Sequence, residues 1–472
     1  MQKKNSHIKL RRCGCLLCWL LGVQIVTAQI TINLPQANIS ARTDFTATLA
    51  SGTYSSIVTL LPTFSVRANT AAFSSTVGTS ATVPLNAVRI RLRSIGSLSL
   101  VGLGNEVTLS TTYGTLYTAL ANLGGGAVTA DYRVVTSSHT WNAGIFSTPI
   151  QFRTGALSPN QLTPTTPTLV LSVPAFIAPQ ATLPVVSIPI NTLAMFRAAT
   201  GVVANTAIAV STTVPYQLQL RAGTAQFSFS TGTAYNQLPT TGVNLVNGTL
   251  PNIPSAGTIP LSSTDQSLSP AGGIAVPTAN NQTLTAAFSI SQTNLRTGFV
   301  QAGTYTVPIT FTWSKLPSAY PTNTPITVPR TSTLQVVVSD MSELAANQQQ
   351  VSLAFTAAAD YRQGVAVEMA NHLRVSKTTP YDIYVRATGS NFTSTSGEFP
   401  VGVLRIGPTA AQTGVGTITL STTSQRLVTS ADPVIDRPIG LRYSIPAAAV
   451  SQLLGQPPGV YTAEVIYSFT AL

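Results

Sequence analysis

Ala302-Gly303-Thr304-Tyr305, running into Thr306-Val307-Pro308-Ile309-Thr310-Phe311, is a small turn, an aromatic residue and a strictly alternating strand. The same phrase occurs at Ala143-Gly144-Ile145-Phe146, running into Ser147-Thr148-Pro149-Ile150-Gln151-Phe152. It recurs at Pro458-Gly459-Val460-Tyr461, running into Thr462-Ala463-Glu464-Val465-Ile466-Tyr467. Alternation of period two puts every second side chain on one face of a strand. A phrase repeated three times predicts three related β-domains in series, not one large catalytic body.

Other segments repeat around this phrase. Thr168-Leu-Val-Leu-Ser-Val173 and Thr333-Leu-Gln-Val-Val-Val338 match at an offset of 165. At the same offset, Val210-Ser211 and Pro215-Tyr216 to Ala222 match Val375-Ser376 and Pro380-Tyr381 to Ala387. The first domain carries a weaker version in Gln29 to Leu34 and Val88 to Ser94. Two further anchors occur in all three copies: Val107-Thr-Leu109-Ser110, Ile259-Pro-Leu261-Ser262 and Ile418-Thr-Leu420-Ser421, then Tyr132-Arg-Val134, Phe288-Ser-Ile290 and Tyr443-Ser-Ile445. Short alternating strands separated by Gly, Pro, Asn and Ser predict an all-β chain of β-sandwiches.

Pro/Thr-rich bridges separate the copies, and proline favours extended spacers over sheet. The expected organisation is a signal at 1–28, a first sandwich at 29–153, a linker at 154–167, a second sandwich at 168–314, a linker at 315–332 and a third sandwich at 333–472. Segment Gly232 to Gly257 reads as a loop insertion without counterpart in the other domains. Asp340 to Gln350 and Pro446 to Leu454 read as short helices.

Lys3, Lys4, Lys9, Arg11 and Arg12, then a mostly apolar run to Val26 and the small residues before Gln29, read as a secretory signal peptide. The run is short for a membrane span, and no later stretch is long and apolar enough, so no span is expected in the mature chain. All three cysteines lie inside this signal, which leaves an exported chain without disulfides. Of the net charge of +12, the signal supplies five positive residues, and the remaining 20 basic and 13 acidic residues give only +7. Scattered charge on a secreted chain argues against a nucleic-acid partner. Arg89, Arg91 and Arg93 form the one tight basic group and share a strand face.

Convergent acids, bases or metal ligands are not evident. His139 and His372 are far apart in sequence and read as surface or turn residues. Asp340/Glu343 and Asp432/Asp436 lack the ligand spacing of a calcium loop and read as turn or cap residues. Gly124-Gly125-Gly126 lacks the Lys and Ser/Thr of a phosphate loop. The expectation is a non-enzymatic protein with no cofactor and no metal. Exposed rings can stack on sugars; Tyr113, Tyr117 and Trp141 are the candidates, whereas Trp313 falls on the core face of its strand.

The last copy carries a further signal. Gly459, an aromatic Tyr461 two residues on, and the alternating Ala463, Val465, Tyr467 and Phe469 resemble the C-terminal signature of spore-coat-protein-U-like and chaperone–usher fimbrial subunits. Leu373 to Val385 also looks like the mid-domain strands of that family. The resemblance is best over 333–472, fair over 168–314 and weak over 29–153. It implies immunoglobulin-like domains lacking a last strand, with the gap filled by a periplasmic chaperone and then by a neighbouring fimbrial subunit delivered through an outer-membrane usher. The missing disulfides and the three-domain length depart from that pattern.

A tandem chain could fill its first two gaps with its own Leu169 to Val173 and Leu334 to Val338. Pro149 and Pro308 each remove a ladder donor, so their strands are expected at an edge or with a bulge. Domain three has Glu464 at this position, which keeps the donor. The expected function is a secreted, cell-surface or fimbria-like structural and adhesion protein, assembled at the groove of Gly459, Tyr461, Ala463, Val465, Tyr467 and Phe469. The alternative is a carbohydrate-binding adhesin that meets surface glycans through its first domain.

Overall fold

The structure is a computed structural model and describes residues 28–55, 63–118, 125–155, 162–232 and 238–471. The signal peptide at 1–28 lies almost wholly outside the described residues. The fold is all-β, built from immunoglobulin-like sandwiches, and it divides into two compact units. The first takes in Thr43–His139 and Ile145–Val173, and the second runs chiefly from Pro174 to Leu472. No helix among the described residues is long and apolar enough to cross a membrane.

In the first unit one sheet contains β1 (Gln29–Asn33), β2 (Thr63–Ala68), β3 (Gly144–Thr154) and β4 (Thr168–Val173). Their order across the sheet is β1, β4, β3, β2, then Gly114–Thr118. The facing sheet is built on Phe45–Tyr54, Gly126–Val134 and Val88–Ile95. Alternation is obeyed strictly: Phe146, Ile150 and Phe152 of β3 point inward and are at most 1% exposed.

The second unit carries two hydrophobic cores. Around the first core lie β5 (Val186–Ile190), β6 (Tyr216–Ala222), β7 (Gly303–Lys315) and β8 (Thr327–Val338), ordered β5, β8, β7, β6. Around the second lie β9 (Gly364–Lys377), β10 (Tyr381–Ala387), β11 (Val434–Pro446) and β12 (Val465–Ser468). β9 and β11 belong to one sheet, and β10 and β12 to the other.

The repeated segments take equivalent places. Leu109, Leu261 and Leu420 are each buried. The carbonyls that follow them, on Ser110, Ser262 and Ser421, accept from Ala68, Ala222 and Ala387 at 2.8, 2.7 and 2.9 Å. The matched Leu-x-x/Leu-x-Val segments do likewise. β4 runs parallel to β1, from Gln29 opposite Thr168 to Asn33 opposite Ser172, and lies beside β3. β8 runs parallel to β5, from Val186 opposite Leu334 to Ile190 opposite Val338. It is antiparallel to β7 along its whole length. Each therefore closes a sheet between the first strand of a sandwich and the repeated Gly-aromatic strand.

Several expectations are corrected. β3 and β7 are central strands, not edges. Their prolines are tolerated because each falls where the neighbouring strand changes. β7 pairs with Ser228–Ser230 up to Thr306 and with β6 from Ile309 onward, leaving Pro308 at the junction. β3 pairs with Ala72–Val77 up to Ser147 and with β2 from Ile150, leaving Pro149 there. No donor is needed at that point, so the missing N–H costs no ladder bond. The second bridge is partly sheet, since β8 begins at Thr327. Within Asp340 to Gln350 the chain forms a strand, Ser342–Ala346, instead of a helix. Of Gly232 to Gly257, 233–237 lie outside the described residues, and the rest is not an unmatched loop: its Val243–Leu245 turn and Asn247–Thr249 strand correspond to Leu85–Ala87 with Val88–Ile95 and to Val401–Val403 with Arg405–Pro408. Ala447–Gln452 is a short helix, as expected.

Candidate assembly groove

β12 is the third copy of the Gly-aromatic strand. On one side it pairs with β10, from Tyr384 opposite Ser468 to Ala387 opposite Val465. Just before it, Thr462 exchanges backbone hydrogen bonds with Thr393 at 2.9 and 3.0 Å. This is the same change of neighbour that the prolines mark in β3 and β7. On its other side, where β4 lies beside β3 and β8 beside β7, β12 has no strand among the described residues.

A second apolar stretch packs on this core without joining a sheet. Val351, Leu353 and Phe355 stand 165 residues after Val186, Ile188 and Ile190 of β5. They alternate half-buried with exposed neighbours and pack against the same core, but they join no strand ladder. In the preceding sandwich β8 binds both β5 and β7. Here the equivalents of β5 and β7 are present, and among the described residues no strand pairs with both.

Burial reports the same gap. Tyr305, Val307, Ile309, Phe311 and Trp313 on the inward face of β7 are at most 1% exposed. Their counterparts Tyr461, Ala463, Val465, Tyr467 and Phe469 are all only half-buried, though all five pack on the core. Tyr461 leans on Phe399 with ring centroids 4.9 Å apart, and its hydroxyl donates to the Pro457 carbonyl at 2.7 Å. Phe469 meets Tyr381 edge-on at 5.9 Å. Gly459 is exposed and has room for a side chain, with its nearest neighbour 4.0 Å from a built Cβ, so it lies outside the groove proper.

A polar cluster underlies the groove, contrary to the reading of His372 as a surface residue. His372 is 3% exposed. A bulge in β9 turns it inward, because Met369 faces Leu441 and Leu373 faces Ile439, so three residues of β9 oppose Gly440 alone. A side chain on Gly440 would strike the Ala370 carbonyl at 2.8 Å. His372 Nε2 lies 2.8 Å from the Tyr443 hydroxyl, which is hydrogen-bonded to the Tyr467 hydroxyl of β12. Burial lowers the His372 pKa and raises that of Tyr443 to about 12. Tyr467 is also raised well above its ordinary value, first by its own burial and then by Tyr443.

The acidic pairs also do more than cap turns. Glu343 and Asp436 are joined by Arg197, whose guanidinium donates to Glu343 at 3.0 and 3.1 Å and to Asp436 at 2.7 Å. Arg296 reaches Asp436 at 2.8 Å and Arg374 reaches Glu343 at 2.9 Å. The Arg197 hydrogen bond is the main reason the Asp436 carboxyl titrates below the ordinary range. Nothing in the spacing of these residues signalled that five side chains would meet. Asp340 pairs separately with Lys377 at 2.6 Å.

Of the sugar-stacking candidates, Trp141 is excluded, because at 1% exposure its ring offers no face to a ligand. Tyr113 and Tyr117 are half-buried on the first unit. Trp313 is in the core, as its strand face requires. Among the described residues no three His, Cys, Asp or Glu side chains cluster as metal ligands.

No protein-family model matches the chain, and no curated protein matches it. Solved structures similar to parts of it include the adhesive subunit CfaE of CFA/I fimbria of enterotoxigenic Escherichia coli, 8% identical over 66% of this chain and 98% of the other, with a TM-score of 0.25. They also include the CsuC-CsuE chaperone–tip adhesion subunit complex from archaic chaperone-usher Csu pili of Acinetobacter baumannii, 12% identical over 62% and 99%, with a TM-score of 0.27. The CupB6 tip adhesin of Pseudomonas aeruginosa is 11% identical over 63% and 91%, with a TM-score of 0.23. Superposition at that level is too loose to bear on function, and the reading below stands on this chain's own geometry.

Proposed function

We propose that the chain is an exported, non-enzymatic surface or fimbria-like adhesion protein made of three tandem sandwiches, and that its third sandwich is completed by a strand from a partner. The observation that carries this reading is that, among the described residues, β12 is paired on one side only and Val351 to Phe355 join no ladder, where β4 and β8 fill the equivalent places in the other two sandwiches. An incoming strand would gain backbone hydrogen bonds along β12 and bury its alternate apolar side chains on Tyr461, Ala463, Val465, Tyr467 and Phe469. The partners of such a groove would be a periplasmic chaperone during export, an usher, and then another fimbrial subunit. An unfilled edge of this length is an aggregation hazard, which favours a dedicated partner.

The test supplies the strand. A second copy of residues 327–338 is fused through a flexible linker after Leu472. Each apolar side chain it buries is worth roughly 1.5–3 kcal/mol, so the melting temperature of the second unit should rise on the order of 5 °C. The same fusion with Asp at the copied Leu334 and Val336 positions should give no rise. Equal melting of the two fusions would sink the proposal.

A further inference from the structure

In unit one, one sheet carries arginines without any carboxylate beside them. Residues 29–173 contain three carboxylates, Asp44, Glu106 and Asp131. All three are engaged by arginines of the sheet opposite β3. Arg133 pairs with Asp44 and Glu106, Arg89 with Glu106, and Arg93 with Asp131. No carboxylate is left for the outer face of the sheet that holds β2 and β3.

That face nevertheless carries two arginines brought together. Arg67 is on β2 and Arg153 on β3, one residue pair apart, since Arg67 faces Gln151 and Ser65 faces Arg153. Both guanidiniums contact the same ring: Arg67 Cζ is 4.7 Å and Arg153 Cζ 4.5 Å from the centroid of Tyr113. Arg67 is held by two hydrogen bonds to Gln151 Oε1, at 3.1 and 2.8 Å. Arg153 is exposed. Ser65, on the same outward row, is 6% exposed beneath this group. Among the described residues neither guanidinium forms an ion pair.

Like charges held side by side repel. The ring attracts both cations but does not neutralise them. A planar guanidinium matches sulfate or carboxylate oxygens in a bidentate fork, so two converging forks without an acid form an anion receptor. The surroundings suit a sugar. Thr115, opposite Ser65 on Gly114–Thr118, the strand beside β2, is exposed and adds a hydroxyl to this face.

We propose that Arg67, Arg153 and Tyr113 bind an anionic polysaccharide, one bearing sulfate or carboxylate groups. The proposal gives the adhesive reading a ligand class. It uses a different surface from β12, so the strand fusion and the binding test can fail separately.

The experiment measures binding of the full chain to a heparin-derived octasaccharide, a hyaluronan octasaccharide and an uncharged chitin oligosaccharide. The sulfated or carboxylated probes should bind at least tenfold more tightly than the uncharged chitin oligosaccharide, with the preferred probe identifying the anion. Arg67→Gln with Arg153→Gln should lose at least tenfold. Arg153→Gln alone, which removes an exposed side chain and so tests the site if the double variant fails to fold, should lose at least threefold. Arg405→Gln with Arg442→Gln, a pair of the second unit without ion pairs among the described residues, should bind as the parent does. Three results would overturn the proposal: no preference for the anionic probes, parental binding by the Arg153→Gln variant, or an equal loss in the Arg405/Arg442 variant.

Discussion

At the scale of single residues, His372 and Asp436 show how a position acquires chemistry from its surroundings. His372 is held neutral by burial, so its folded pKa lies below its unfolded value near 6.5. As pH falls below about 6.5 the unfolded chain takes up a proton that the folded chain resists. Stability should therefore decline from there until folded His372 protonates. A His372→Gln variant, which can still hydrogen-bond Tyr443, should flatten that decline in denaturant titrations at pH 6.5 and 5; an unchanged slope would assign the effect elsewhere. Asp436 has the opposite dependence. Its carboxyl is lowered by Arg197, so its contribution is present above the unfolded value near 4 and is lost as pH falls through the lower folded one. Asp436 has a φ of 56°, a conformation Asn also tolerates, so Asp436→Asn removes the charge without backbone strain. Loss of hydrogen bonds to a charged group should cost about 1.5–3 kcal/mol at pH 7 and much less at pH 3, measured by urea unfolding.

At the scale of elements, the repeated strand shows both the reach and the limit of reading from sequence. Its alternation placed Tyr305 and Trp313 on the core face, because side-chain direction follows from period two alone. The same reasoning put Pro149 and Pro308 at an edge or a bulge, because it counted donors without knowing where neighbouring strands stop. His372 was misplaced for a similar reason: a bulge shifts the period, and nothing in Ala370-Asn371-His372 announces one. The role of β4 was legible as an apolar strand after a bridge. Its Leu171 is fully buried, and Leu171→Ala should destabilise the first unit by about 2–5 kcal/mol, with the second unit's calorimetric transition unmoved. Amide exchange offers an independent check at β12. Its amides should exchange faster than those of β7, which is paired on both sides; equal protection would show that β12 is already covered.

At the scale of the molecule, the all-β architecture and its repeats were legible because they rest on periodicity and spacing, both one-dimensional properties. The meeting of Arg197, Arg296 and Arg374 with Glu343 and Asp436 was not, because it depends on how two cores of the second unit pack. The Arg67, Tyr113 and Arg153 group lay equally out of sight, since cross-strand register brings together residues far apart in sequence.

β4 and β8 are each tethered to the strand they complete, with 13 residues between Thr154 and Thr168 and 11 between Lys315 and Thr327. Their docking is intramolecular, driven by a local concentration in the millimolar range that dilution leaves untouched. The melting temperature of the first unit should therefore be the same across a hundredfold range of protein concentration. A strand supplied to β12 by a separate molecule obeys mass action instead, and its occupancy rises and falls with the abundance of its donor.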